Sequence, residues 1–312
     1  MQKRRLGRSG PEVSLVGLGV NNFGRRIDFA AARPVVAKAL DCGITLIDTA
    51  DAYGNDGASE DFLGRLLGSR RKDVVLATKF GLSIDGTGTP GGASRRYIMQ
   101  AVEASLRRLN TDWIDLYQLH RPDAKVPIEE TLRALDDLVK AGKVRYIGCS
   151  NLSATQLEAA LTVSKRQDLA VFVTCQDEYN LLSRGLEKDR APVMRQHGLG
   201  LLPYVPLASG LLTGKYRHNA PLPPSSRLAS SARHVGRVLN ERNWRVVEAL
   251  REFATRRGYT LLELAMSWLA SRPFISSIIA GATRPEQVEQ NIAAVGWTLP
   301  PADLAEIDRI TL

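Results

Sequence analysis

The feature that most constrains this chain is a regular alternation of short apolar runs with longer amphipathic segments. The runs are continuously apolar, a pattern typical of parallel strands that are buried on both faces. We predict eight such strands: Val13–Gly19, Ile44–Asp48, Val74–Lys79, Ile114–His120, Val144–Ser150, Val171–Gln176, Leu199–Tyr204 and Ile275–Ala280.

The amphipathic segments between these runs predict helices. Ser94 and Ser153 stand where helix N-caps are expected, and Gly142 and Gly198 stand where helices should end. The predicted helices are Pro34–Leu40, Ser59–Leu67, Arg95–Leu109, Ile128–Ala141, Ser153–Val163, Pro192–His197, Glu241–Arg257 and Leu261–Ala270.

Repeated strand–helix units over about 300 residues favour a closed barrel rather than an open doubly wound sheet. We therefore predict the α/β class and a single (β/α)8 TIM barrel domain over residues 1–312. The early glycines, Gly17, Gly19 and Gly24, lack the GxGxxG spacing of a Rossmann dinucleotide site. Two long loops, Gly81–Gly92 and Pro206–Leu239, follow strands and should lie at the C-terminal barrel face.

Composition narrows the function classes. The formal net charge is +9, from 42 basic and 33 acidic residues, but no dense basic run is interleaved with aromatic residues. We expect no nucleic-acid partner, and an anionic small ligand together with a solvated basic surface accounts for the charge. No apolar run of membrane-spanning length and no export signal is visible, which predicts a cytoplasmic protein without a membrane partner. Cys42, Cys149 and Cys175 are widely spaced and predict buried thiols rather than a metal or disulfide site.

Titratable residues end three successive predicted strands. Asp48, Lys79 and His120 hold these positions, and Tyr53 follows Asp48 in a tight turn. A tyrosine can act as a general acid where a nearby cation lowers its pKa; Lys79 could supply that charge and Asp48 could orient the ammonium. A single strand-end lysine or histidine usually has a structural role, but four polar, titratable groups on one barrel rim predict a catalytic site.

Several segments of this sequence, in the same order, resemble the signature motifs of the aldo-keto reductase family, and the resemblance runs from Leu6 to about Ala293. They are Gly43–Gly54 (GITLIDTADAYG), Ala77–Gly81 (ATKFG), Asp112–His120 (DWIDLYQLH), Gly142–Asn151 (GKVRYIGCSN), Gln176–Asn180 (QDEYN) and Pro203–Tyr216 (PYVPLASGLLTGKY).

The resemblance implies a reductase that uses NADPH to reduce a small aldehyde or ketone. Tyr53 would be its proton donor, Lys79 and Asp48 would tune the pKa of Tyr53, and His120 would orient the substrate carbonyl. No metal is implied.

The resemblance also implies a set of cofactor contacts. Val20, Asn21, Ser150, Asn151, Gln176 and Tyr204 would lie near the nicotinamide. Pro206, Leu207, Ala208, Ser209, Gly210 and Lys215 would cover the pyrophosphate, and Arg227, in Ser225-Ser226-Arg227, would reach the 2′-phosphate. Gly281, Thr283, Arg284, Gln287 and Asn291 would hold the adenosine phosphate. Gly281-Ala282, Gln287 and Gln290 depart from the most studied branches, which leaves the preference for NADPH over NADH open.

Two functions stay open. The first is a carbonyl reductase; the second is an NADPH-binding, redox-sensing regulatory subunit with little turnover, because the sequence also resembles potassium-channel β subunits. The substrate pocket is expected to be built by Phe23, Tyr53, Phe80 and the two long loops, with Pro206–Leu239 forming a mobile lid. Substrate identity and oligomeric state stay open.

Overall fold

Eight parallel strands form the centre of the computed structural model, which describes residues 1–83, 91–224, 226–229 and 232–312, with the side chains of 232–234 left aside. Two short strands, β1 (Lys3–Arg5) and β2 (Glu12–Ser14), precede them in the chain. The eight parallel strands are β3 (Val16–Gly19), β4 (Leu46–Asp48), β5 (Val75–Phe80), β6 (Ile114–Leu119), β7 (Val144–Ser150), β8 (Phe172–Gln176), β9 (Gly200–Leu201) and β10 (Ile278–Gly281). Their order in the sheet is β10-β3-β4-β5-β6-β7-β8-β9.

The sheet closes on itself next to its two outermost strands. Leu201 pairs with Ile275: its amide donates to Phe274 at 2.8 Å, and its carbonyl accepts from Ser276 at 2.9 Å. Further along, the amide of Ile279 donates to the carbonyl of Pro203 at 3.1 Å. These bonds close the predicted (β/α)8 barrel, and the fold prediction is confirmed.

Helices surround the barrel, and their ends follow local capping chemistry. Ser94 accepts from the Tyr97 amide, Ser153 and Gln156 form a capping box, and Gly198 ends its helix with φ 71°. The helices are α1 (Phe29–Asp41), α2 (Ala58–Leu67), α3 (Arg95–Leu109), α4 (Ile128–Lys140), α5 (Ala154–Arg166), α6 (Arg190–His197), α7 (Ala232–Val238), α8 (Glu241–Arg256), α9 (Leu261–Ala270), α10 (Pro285–Ala293) and α11 (Pro301–Thr311). No described helix is long and apolar enough to cross a bilayer.

Two expectations need correction, and a third is only partly covered by the described residues. The run predicted as one strand at Val13–Gly19 divides at Leu15, because its first part, β2 (Glu12–Ser14), pairs with β1 (Lys3–Arg5) in a separate antiparallel hairpin. The long segment Pro206–Leu239 is not irregular throughout, since it contains α7 and a 3-10 turn at Ala208–Thr213. Within the loop Gly81–Gly92, residues 84–90 lie outside the described residues.

An apolar layer fills the lower part of the barrel. Leu6 and Val13 from the N-terminal hairpin region contact strand residues whose side chains point inward. That cluster consists of Leu6, Val13, Leu46, Ala77, Leu116, Val173, Leu202 and Ile279, all buried. Residues two apart on a strand share a face, so Asp48 stands above Leu46, Lys79 above Ala77 and Gln118 above Leu116. The apolar layer therefore supports a polar layer at the C-terminal end.

Candidate active site

A cavity of about 630 Å³ opens at the C-terminal ends of the strands, within the size range of ligand sites. Asp48, the last residue of β4, and His120, which follows β6, line it together with Tyr53. Lys79, near the end of β5, lies beneath the cavity floor with no exposed surface. The barrel thus brings the four predicted catalytic side chains to one rim, where barrel enzymes carry out their chemistry.

A buried ion pair forms the base of this site. The Lys79 Nζ donates to Asp48 Oδ2 at 2.7 Å and to the Thr49 carbonyl at 2.6 Å. The same ammonium lies 3.4 Å from the Tyr53 hydroxyl. Because each of its three donors has a partner, the lysine has one position, directly behind the tyrosine oxygen.

Two amide side chains hold the second carboxylate oxygen of Asp48. The Nε2 of Gln176 donates to Asp48 Oδ1 at 2.8 Å, and the Nε2 of Gln118 donates to it at 3.3 Å. Gln118 was not among the predicted site residues, although its position two residues before His120 on an inward-facing strand could have indicated it. Both carboxylate oxygens of Asp48 therefore have hydrogen-bond partners.

Burial and neighbouring charges set the protonation of this group. Burial alone would lower the pKa of Lys79, but Asp48 and Tyr53 raise it above its ordinary value. Burial also raises the pKa of Tyr53, while Lys79 acts in the opposite direction. The pKa of Tyr53 is therefore raised, whereas the sequence led us to expect a lowered pKa. The effect of removing the phenol from water is larger than the opposite effect of the Lys79 ammonium. Tyr53 is a neutral phenol with its proton in place at neutral pH.

His120 is a neutral imidazole. Burial, followed by the charges of Lys79 and Arg121, lowers its pKa well below the ordinary value. Its ring meets the Tyr53 ring edge-on, with centroids 5.7 Å apart and an interplanar angle of 81°. Its Nδ1 is buried with no hydrogen-bond partner among the described residues. A neutral histidine can donate one N–H to an oxygen bound beside Tyr53.

Asn151 connects several residues of the cavity wall next to His120. Its backbone is left-handed, with φ 62°, a conformation that asparagine tolerates. Its Nδ2 donates to the His120 carbonyl at 3.0 Å and to Ser150 Oγ at 2.8 Å, while its Oδ1 accepts from the Tyr204 hydroxyl at 2.8 Å. Ser150, Asn151 and Tyr204 are therefore bonded to one another next to the catalytic rim.

Four residues with left-handed backbone lie between Tyr204 and Leu211. The φ angles of Val205, Ala208, Ser209 and Gly210 are 52°, 46°, 58° and 93°. For valine this is a strained conformation, and strain of this kind is concentrated at functional sites. A Cβ on Gly210 would lie 3.1 Å from Lys215 Cε and Nζ, so glycine is what allows the ammonium this close. Val205, Ser209, Gly210 and Lys215 all line the cavity, so this strained segment and the ammonium face the same space.

Four cations of the cavity wall, Arg26, Lys215, Arg227 and Arg284, influence one another electrostatically. The charge of Arg227 acts on both Tyr53 and Arg26, and that of Lys215 acts with Arg26 and Arg284. Burial first, and then these like charges, lower the pKa of Lys215 and of Arg227. Such mutual repulsion is relieved when an anion binds between the groups.

Most side chains predicted to hold the cofactor lie in the cavity wall: Asn21, Ser150, Asn151, Gln176, Tyr204, Pro206, Leu207, Ser209, Gly210, Lys215, Arg227, Gly281, Thr283, Arg284, Gln287 and Asn291. Val20 and Ala208 are buried, and neither is part of the wall. Ser225 lies outside the described residues.

The prediction that Phe23 and Phe80 line the substrate pocket is wrong, because neither is part of the cavity wall. Both are fully buried in the hydrophobic core, where Phe80 packs against the Tyr117 ring at 4.7 Å. The wall instead contains three arginines that sequence reasoning missed, Arg26, Arg121 and Arg237. The position of Arg121 directly after His120 was a usable signal, whereas Arg237 reaches the cavity only because α7 folds back over it.

Comparison with known proteins places this architecture in one family. A model of the aldo/keto reductase family matches residues 15–311. A probable voltage-gated potassium channel subunit beta of Arabidopsis thaliana is 38% identical, over 99% of this chain and 96% of its own length. The L-glyceraldehyde 3-phosphate reductase of Escherichia coli K12 is 33% identical, over 99% of this chain and 92% of its own length. An aldo-keto reductase of Bacillus subtilis is 35% identical, over 99% of this chain and 93% of its own length. The chain therefore belongs to the aldo/keto reductase family.

Proposed function

We propose that this oxidoreductase reduces an aldehyde or ketone to an alcohol with NADPH. The observation that carries the proposal is the buried Lys79–Asp48 ion pair, whose ammonium lies 3.4 Å from the Tyr53 hydroxyl at the floor of the cavity. A buried ion pair is expensive to keep and is a weak source of stability, so a chemical role explains it better than a structural one.

The protein's own groups would handle the proton. Tyr53 donates its proton to the carbonyl oxygen, and Lys79 stabilises the phenolate that forms, because the ammonium is already positioned behind the oxygen. Neutral His120 donates a hydrogen bond to the same oxygen and orients the carbonyl. When bound, NADPH supplies the hydride.

The residues present fit a phosphorylated dinucleotide. Asn151, Ser150 and Tyr204 provide polar contacts at the catalytic end. The cations Arg26, Lys215 and Arg284, which line the cavity farther along, suit phosphates. The N-terminus of α10 adds backbone donors and the helix dipole. Several cations near this end favour NADPH over NADH, since only NADPH carries a 2′-phosphate.

A second candidate is a regulatory subunit that binds NADPH and turns over little. It is supported by the relative named as a potassium channel subunit beta, which is 38% identical over nearly the whole chain. The two functions share the cofactor and differ in the rate of the chemical step.

The proposal is tested by measuring NADPH oxidation at 340 nm with a panel of aldehydes and ketones. Tyr53→Phe is the matched variant. We expect turnover by the wild-type protein and a loss of about 10²–10⁴-fold in Tyr53→Phe, with NADPH affinity retained. The variant keeps the Lys79 bonds to Asp48 and Thr49, so the fold should persist. Tight NADPH binding without turnover of any carbonyl would favour the regulatory subunit, and undiminished turnover by Tyr53→Phe would contradict the assigned role.

A further inference from the structure

The basic side chains around the cavity fall into two groups. Arg227, Arg26, Lys215 and Arg284 act electrostatically on one another, and Arg284 is the N-cap of α10. Arg121 and Arg237 belong to a second group: the charges of both act on Tyr204, and that of Arg121 also acts on His120. The phosphates of a dinucleotide would occupy the first group and leave the second without an anion.

We propose that the carbonyl substrate carries an anionic group, a carboxylate or a phosphate, which Arg121 binds with the help of Arg237. This inference rests on the proposed reductase function and adds the chemical class of the substrate. The carbonyl lies between Tyr53 and His120, and the anionic group lies farther out on the His120 side.

Arg121 is placed to make such a contact. It follows His120 directly in the chain, lines the cavity and is exposed. It has no hydrogen-bond or ion-pair partner among the described residues. A guanidinium offers five N–H donors in a planar fork that matches the two oxygens of a carboxylate or phosphate.

Arg237 is held over the same side from α7. Its guanidinium donates to the Glu178 carboxylate at 3.2 Å, and its side chain is still 54% exposed. A single bond to Glu178 leaves other N–H donors of the guanidinium for a ligand. Because Glu178 offsets the charge of Arg237, the net positive charge of this group comes from Arg121.

Basic side chains outnumber carboxylates in the cavity wall. The wall contains Arg26, Arg121, Lys215, Arg227, Arg237 and Arg284, and Asp48 is the only carboxylate among the described residues in it, although Glu178, outside the wall, pairs with Arg237. Asp48 is neutralised by Lys79 from below. An excess of one sign in a cleft raises the local concentration of a ligand of opposite charge.

The test compares aldehydes that differ only in the anionic group. The pairs are 4-carboxybenzaldehyde with its methyl ester, and 4-formylphenyl phosphate with 4-methoxybenzaldehyde. For the wild-type protein we expect kcat/KM to be about tenfold to hundredfold higher for the anionic member of at least one pair, mostly through KM, as one charge-assisted contact allows. Preference in the first pair alone identifies a carboxylate, and preference in the second alone a phosphate.

Arg121→Gln should reduce this preference ratio by about tenfold or more, and Arg121→Lys should restore part of it. The matched control is Arg195→Gln, an exposed arginine on α6 outside the cavity wall, which should leave the ratio unchanged. Equal turnover of acid and ester, or an unchanged ratio in Arg121→Gln, overturns this inference alone. No turnover of any aldehyde overturns the proposed reduction and this inference with it.

Discussion

Lys79 keeps its charge without any exposed surface, and this single residue explains much of the site's electrostatics. Its ammonium is bonded to Asp48 and Thr49. Gln118 and Gln176 donate hydrogen bonds to the other carboxylate oxygen of Asp48. Removing one partner of such a pair would leave an uncompensated buried charge. Lys79 and Asp48 can therefore stay charged in this buried position only together.

How much of this could be predicted depended on the residue. Asp48, Lys79 and His120 were predictable because strand ends meet at one rim. The direction of the Tyr53 pKa was not, because it depends on how burial and the ammonium balance, which only the packed site sets. Arg237 was hidden for a similar reason, since its role depends on how α7 folds back.

Arg227 offers a test of cofactor choice at the scale of one side chain. We expect Arg227→Ala to weaken NADPH binding by about tenfold to hundredfold and NADH binding less, through loss of one charge-assisted bond to the 2′-phosphate. Fluorescence titration with both cofactors measures the two dissociation constants, with Arg195→Ala as the control. Equal weakening of both would assign Arg227 to the pyrophosphate instead, consistent with its electrostatic contact with Tyr53.

Asp51 gives a pH-dependent prediction. Burial, followed by the charge of Glu60, raises the pKa of Asp51 to about 7. The folded state therefore holds this proton more tightly than the unfolded state, whose pKa is about 4. The stabilising contribution is fully present below about pH 4 and is lost as the pH rises through about 7.

Asp51→Asn imitates the protonated form, so its free energy of unfolding should exceed that of the wild type at pH 8, and the excess should be smaller at pH 5. The difference should be of the order of 1 kcal/mol or more, since each pKa unit corresponds to about 1.4 kcal/mol. Urea unfolding at both pH values measures it, with exposed Asp112→Asn as the control. A pH-independent difference would mean that Asp51 is already ionised at pH 5.

At the scale of elements, the segment Pro206–Leu239 combines anchored and exposed parts. Leu211, Leu212 and Tyr216 are buried in the core, contrary to a lid without apolar contacts. Residues 217–221 are exposed throughout. Sequence patterns favoured a loop here because its buried residues follow no helical or strand period, and their anchoring depends on contacts with other elements.

We therefore expect NADPH to slow amide exchange mainly between Lys215 and Pro224, and to slow tryptic cleavage at Arg217. The reason is that a ligand bound by Lys215 would tether the exposed part to the anchored part. Hydrogen exchange with and without NADPH measures this, and peptides from α4 serve as the internal control. Unchanged exchange between residues 215 and 224 would rule out a cofactor-dependent lid.

At the scale of the whole molecule, the strand and helix pattern was sufficient to predict the barrel, but not how it closes. β9 has only two residues, and closure depends on Leu201, Ile275 and Ser276. Gly200 is essential there, because an added Cβ would lie 1.9 Å from Ser276 Oγ and 2.6 Å from the Gly7 amide nitrogen. No sequence period reports a contact between segments this far apart.

Gly200→Ala should therefore lower the free energy of unfolding by about 1–3 kcal/mol, a typical cost of overpacking. Gly185→Ala is the matched control, since nothing lies within 4 Å of its added Cβ. Chemical denaturation of both variants measures the difference. Equal stability of the two variants would mean that β9 can move away from the segment at Ser276 without loss of stability.

The apolar layer beneath Asp48 and Lys79 has a consequence for the supply of protons. Among the described residues, Leu6, Val13, Leu46 and Leu116 block the lower end of the barrel with no exposed surface of their own. If Tyr53 gives up its proton in each cycle, no water can return one from below. We therefore expect Tyr53 to be reprotonated through the opening at the C-terminal ends of the strands, the same opening that admits the substrate.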